Sequence, residues 1–276
     1  MSTTDSRFDY EEYALSKSEL RALIDNDFSE LIALIKKCDH LILASTQDLG
    51  TVEALSAAVH AHSLFLAAYD LARAGHFSAM FPLFRTAIES AVYGYLFNRE
   101  EGLVEKWRNR HESEAGFDDS KKAFTAAIKR FRGHLKEHDA QSGDTPYEEL
   151  VSSLYDGAID FGAHPNPIAL TNNMSVVMEP EQLRVRYEYL RTNKAGILQG
   201  LFACIDYALA IAVINHLSRM QINPGLPGLD ATFLETYREC RALTDKLNGA
   251  PIGFDNRYYK RINTFVKKST NDGKDE

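Results

Sequence analysis

Cysteine is scarce in this chain: three residues among 276, Cys38, Cys204 and Cys240, odd in number, far apart and with no C-x-x-C pair. Such usage argues against a disulfide framework and reads as reduced thiols. A basic-plus-apolar leader is missing ahead of the acidic start, and so is a myristoylation glycine; no export and a cytoplasmic location are expected. The sequence has no Gly-x-x-x-x-Gly-Lys-Ser/Thr, no Gly-x-Gly-x-x-Gly and no Gly-x-Ser-x-Gly, which leaves phosphate-loop, dinucleotide and hydrolase-elbow chemistry unsupported. No cofactor is expected. Glu-x-x-His, the helical signature of a carboxylate-bridged metal pair, is absent as well. His134 and His138 have a zinc-compatible spacing but no third ligand nearby, and no metal site is expected. Positive charge is not in excess either: the formal net charge is −8, which argues against a broadly basic nucleic-acid coat while leaving room for a local basic groove. Long apolar runs are limited to one, residues 195–217, interrupted only by Asp206. An Asp near the centre of a spanning helix costs about 2.5–3.5 kcal/mol, so the run reads as a buried core helix and no membrane contact is expected.

What is present is the composition of a globular protein, 45% hydrophobic and 25% charged. Apolar residues recur at three- and four-residue steps from Ser18 onward (Leu20, Leu23, Ile24, Phe28, Leu31, Ile32, Ile35), predicting a first helix before a break at 45–50. A second, alanine-rich helix follows over 51–74, ended by Gly75. A third runs to Arg99 and is regular from near Pro82 onward. Further helices are predicted over 103–111, over a basic stretch at 119–138, and from Pro146 to the string Asp160-Phe161-Gly162-Ala163-His164-Pro165-Asn166-Pro167. A short extended or hairpin segment is expected near 168–178, then a long helix from Glu181 to Leu217 and a last one over 230–247. With no βαβ alternation and no fixed repeat, the fold class is all-α, a bundle of about seven to eight helices. The division expected is a polar arm over 1–16, one helical domain over 17–250, and a basic tail over 251–276.

Two groups of residues stand out chemically. Arg85 and Glu89 lie at i and i+4 on the flank of the very apolar third helix, which has little exposed face to offer. Asp206 is isolated in the other apolar helix. A buried charge needs compensation, and the inference is that Arg85, Glu89 and Asp206 gather with Asp160 and His164 into one internal polar pocket. Asp156, Asp160 and His164 fall at i, i+4 and i+8, along one stripe of a regular helix. An arginine in such a pocket suits a carboxylate or phosphate, so a small anionic ligand is the expected partner. Exposed faces on a mainly helical protein also make a homodimer an expectation.

The helix carrying Phe84-Arg85-Thr86-Ala87-Ile88-Glu89-Ser90, together with the later Ile159-Asp160-Phe161-Gly162-Ala163-His164-Pro165-Asn166, resembles a group of uncharacterised bacterial helical proteins. In that group an R-x-x-x-E helix packs near a helix ending in an acidic or small residue, three spacers and histidine. The resemblance implies a helical bundle whose arginine, glutamate and histidine meet at one site. The string Arg132-Gly133-His134-Leu135-Lys136-Glu137-His138 is similar to the Arg-spacer-His motif of HEPN-type helical ribonucleases. That resemblance implies metal-independent RNA cleavage, with His138 as general acid or base and Arg132 stabilising the phosphate transition state.

Overall fold

The structure, a computed structural model, describes residues 9–142, 147–163, 165, 167, 170, 173–179, 182–223 and 230–248. They form an all-α bundle carrying one β-hairpin: α1 (Tyr10–Asp27), α2 (Ser29–Ser45), α3 (Val52–Arg73), α4 (Phe77–Arg99), α5 (Leu103–Arg108), α6 (Glu114–Thr125), α7 (Ala127–Ser142), α8 (Tyr147–Ala158), β1 (Met174–Glu179), β2 (Gln182–Tyr187), α9 (Lys194–Ile222) and α10 (Asp230–Asn248). The apolar run at 195–217 lies inside α9. This helix is long and apolar enough to cross a membrane by length and composition, yet 89% of its most apolar window is buried inside the fold. It is the axis of the bundle, packed against α2, α3, α4 and α8.

Local chemistry sets the starts of α1, α3, α6 and α9. The Asp9 carboxylate accepts from the Glu11 and Glu12 amides, Thr51 Oγ1 from Ala54, Ser113 Oγ from Gly116 and Asn193 Oδ1 from Gly196, each satisfying N–H groups that the first turn leaves free. The alanine face of α3 (Ala54, Ala58, Ala61, Ala68, Ala72) is buried against α4. The two backbones come so close that a Cβ added to Gly94 would lie 3.1 Å from the Ala54 carbonyl.

Several boundaries differ from those read in the sequence. The arm expected over 1–16 is already helical at Tyr10. The helix expected from Ser18 is two, parted at Phe28 (φ −120°, ψ 31°), and the basic helix over 119–138 is also two, parted at Ala126 (φ −110°, ψ 17°). In both places the ring or methyl that must enter the core, Phe28 and Ala127, is fixed by packing and not by a proline or glycine. These divisions carry the helix number past seven or eight. α4 starts at Phe77 and runs through Pro82. The long helix expected from Glu181 is instead β2 followed, from Lys194, by α9, and the hairpin lies at 174–187 instead of 168–178. Leu183, Val185 and Tyr187 alternate with polar residues at period two, the strand pattern that displaces the helix. The strands pair antiparallel with Met174 opposite Tyr187 and Glu179 opposite Gln182. The tail over 251–276 lies outside the described residues.

Candidate functional site

The site is built where α4, α7 and α8 meet, and one residue of the central helix sets its spacing. Tyr207 of α9 is fully buried; its ring stacks on Phe84 at 4.3 Å with the planes 4° apart, and its hydroxyl donates to the Leu154 carbonyl at 2.7 Å. Phe84 precedes Arg85 and Leu154 precedes Tyr155. One side chain thus fixes the two backbone stretches that present Arg85 and Tyr155. On α8 the apolar positions Leu150, Val151, Leu154 and Ala158 face the core, and the helical turn carries Tyr155 and Asp156 to the flank facing α4 and α7.

At that flank Arg85 Nε donates to Glu89 Oε1 at 3.0 Å, and the Tyr155 hydroxyl donates to the same oxygen at 2.7 Å. The Arg85 guanidinium lies 5.5 Å from the Tyr155 ring centre, and the Arg132 guanidinium, arriving from α7, lies 5.6 Å from the same ring. Arg132 Nη2 donates to Asp156 Oδ1 at 2.6 Å and to the Ser152 carbonyl at 3.4 Å. Its Nε is shielded from solvent and has no hydrogen-bond partner. Arg85, Glu89 and Arg132 keep 26%, 28% and 29% of their side-chain surface exposed, against 56% for Asp156. The cluster is therefore half-sunk at the surface, with Asp156 as its most solvated member.

The electrostatics follow this geometry. Burial, then the bond to Glu89, raises the Tyr155 phenol above its ordinary value, so it stays a neutral donor. Burial opposes the charge on Arg85, but the Tyr155 hydroxyl and the Glu89 carboxylate outweigh it and hold the guanidinium above its ordinary value. Asp160 is raised by burial and then by the charge of Asp156.

Arg85 and Glu89 meet as their spacing implies, and the added member is Tyr155. Asp160 does not continue a regular i, i+4 stripe from Asp156, because Ile159–Ala163 winds as a wide π-type turn in which Gly162 leaves helical geometry (φ 178°, ψ −20°). Pro82 helps explain the seating of that turn. Lacking an N–H, it cannot donate to the Ser78 carbonyl, and Gly162 packs on that oxygen so closely that a Cβ would lie 2.0 Å from it. Asp206 belongs to another face of α9, where its charge raises the buried thiol of Cys38 on α2, after burial itself and Cys240. His164 lies outside the described residues. Arg132 and His138 both sit on α7, six residues apart, where helical winding turns them to different sides. Both reach α8 but at different points: Arg132 meets Ser152 and Asp156, whereas His138 lies 5.6 Å from the ring centre of Tyr147 at the start of α8 and 3.6 Å from Asp139. No group of three or more metal-ligating side chains is found among the described residues.

Sequence reasoning assigns Arg85 and Arg132 to two separate sites and leaves Tyr155 and Tyr207 unremarked, as aromatic residues on apolar helices. The available signal is Tyr155 beside Asp156, one helical step from the stripe that draws attention. No family model, curated protein or solved structure matches the chain.

Proposed function

We propose that this protein is a ligand-binding module that holds a small anion, a carboxylate or phosphate group, between Arg85 and Arg132 over the edge of Tyr155. The observation that carries the reading is the shielded, unpartnered Nε of Arg132, whose guanidinium shares the Tyr155 ring with that of Arg85. A guanidinium presents its donors in a planar fork that matches a carboxylate or phosphate, and two such forks reaching one group bind it more strongly than either alone.

The two carboxylates take different parts. Glu89 accepts from both Arg85 and Tyr155 and orients the first guanidinium. Asp156 is the solvated counter-ion of Arg132, and an incoming anion displaces it. Titration calorimetry with inorganic phosphate and with citrate tests this. Saturable binding of either is expected in the wild type, weakened about thirtyfold in Arg85→Ala, the loss of about 2 kcal/mol of charge-assisted hydrogen bonding. Asp156→Asn, which removes the competing charge, is expected to tighten it. Absence of saturable binding, together with metal-independent RNA cleavage that His138→Ala abolishes, would replace this reading with the HEPN-like ribonuclease one.

A further inference from the structure

The outward crest of α3 lacks the charge that a solvated helix carries. Between Glu53 and Asp70 the helix has no Asp, Glu, Lys or Arg for sixteen residues, although the chain as a whole carries a net −8. Its inward alanines are consumed by α4. Its two histidines are turned to the flanks: His60 Nδ1 lies 3.0 Å from Ser90 Oγ on α4, and His62 Nε2 lies 2.6 Å from Asp39 Oδ1 on α2. What remains outermost is apolar or small. Val52, Leu55, Val59 and Leu66 are 73%, 43%, 52% and 43% exposed, and Ser56, Ser63 and Ala67 fill the positions between them. The spacing of three, four and seven residues is that of a packing seam.

The geometry points to a second copy of this chain as the occupant, docked antiparallel along α3 about a two-fold axis at the level of residue 61. Three features support a self-pairing. In that register Leu55 of one copy faces Ala67 of the other, Val59 faces Ser63, and Leu66 faces Ser56, so that each of these three large side chains meets a small one, while Val52 at the end of the crest faces Asp70. An isologous contact requires this kind of self-complementarity. Two chains of like net charge can approach here because the crest itself is uncharged, while charged pairs stand at its ends: Arg108 Nε with Glu53 Oε1 at 2.7 Å, and Arg21 with Asp70. The crest offers roughly 500 Å² per copy, or about 1,000 Å² for the pair, at the lower edge of a specific interface, which makes the dimer a dissociable one.

Sedimentation velocity on the full chain, from about 1 to 100 µM, tests the pairing, with circular dichroism as the check that each variant keeps its helices. A reversible dimer is expected, with a dissociation constant on the order of 10 µM. Val59→Asp and Ser63→Lys, both at exposed positions, should each shift dissociation at least tenfold upward. An equimolar mixture of the two should regain association, because the carboxylate introduced on one copy then faces the ammonium introduced on the other. Leu183→Lys on the hairpin, another exposed apolar element, should leave the dimer unchanged. A wild-type chain that stays monomeric at about 100 µM, as it would if another part of its own sequence covered the crest, would overturn the inference. So would folded α3 variants that dimerise like the wild type, a mixture no more associated than its components, or a dimer lost in Leu183→Lys.

Discussion

Replacing Tyr155 by phenylalanine removes one oxygen from the centre of the candidate site and leaves the ring in place. The lost interaction is the 2.7 Å bond donated to Glu89 Oε1, an acceptor that also carries Arg85. A hydrogen bond to a charged group contributes about 1.5–3 kcal/mol when well shielded. Glu89 is about one quarter exposed and water can reach it, so the lower end applies, about 1–2 kcal/mol. For a chain of this length each kcal/mol moves the midpoint by about 2–4 °C, giving a fall of about 2–8 °C. Tyr155→Leu goes further by withdrawing the ring from both guanidiniums, each contact contributing about 0.5–1 kcal/mol. Urea unfolding followed by circular dichroism at pH 7 measures both variants. The slope with urea should be unchanged, since the folded and unfolded surfaces are nearly the same. Stability within about 0.3 kcal/mol of wild type for both variants would refute the reasoning, because Tyr155 would then hold neither partner.

The neighbouring turn makes two further predictions. Asp160 is raised in the folded protein by burial and by Asp156, so the native state holds its proton more tightly than the unfolded chain does. The stability it contributes is present at low pH and is lost as pH rises through the raised folded value. Asp160→Asn, which cannot ionise, should therefore melt higher than wild type at pH 7 and lose that advantage below about pH 4; a variant less stable at pH 7 than at pH 4 relative to wild type contradicts the burial argument. Gly162→Ala places a Cβ against the Ser78 carbonyl, a backbone atom that cannot rotate away. It should cost about 3 kcal/mol in the same urea assay, and a neutral effect would show that the turn is not seated on α4.

The helices of this fold were legible wherever apolar periodicity was long and unbroken. α3 and α10 fall close to the ranges read for them, α9 is found from its long apolar run although its start is misplaced, and Arg85 with Glu89 is marked by its four-residue interval. The breaks at Phe28 and Ala126 were not legible, because no proline or glycine marks them and packing alone sets them. β2 was hidden by a preference for extending α9 upstream over the period-two pattern of 182–187. At the site, the charged residues drew attention as separate motifs. Their meeting depends on how α4, α7 and α8 come together, and the spacing of α4 and α8 falls to Tyr207, whose hydroxyl and ring are read from the sequence only as core. Asp206 is only half-buried, and helical rotation relative to Tyr207 puts it on another face of α9, within electrostatic reach of Cys38 on α2.

The central claim is that Arg85 and Arg132, on different helices, act on one ligand through one tyrosine. A double-mutant cycle on phosphate affinity tests it most directly, with calorimetry on the wild type, Arg85→Ala, Arg132→Ala and the double variant. If both guanidiniums grip the same anion, each single substitution weakens binding and the double variant loses less than the sum, with a coupling of about 0.5–3 kcal/mol. Losses that simply add, or a phosphate affinity indifferent to one of the two arginines, would contradict a shared site.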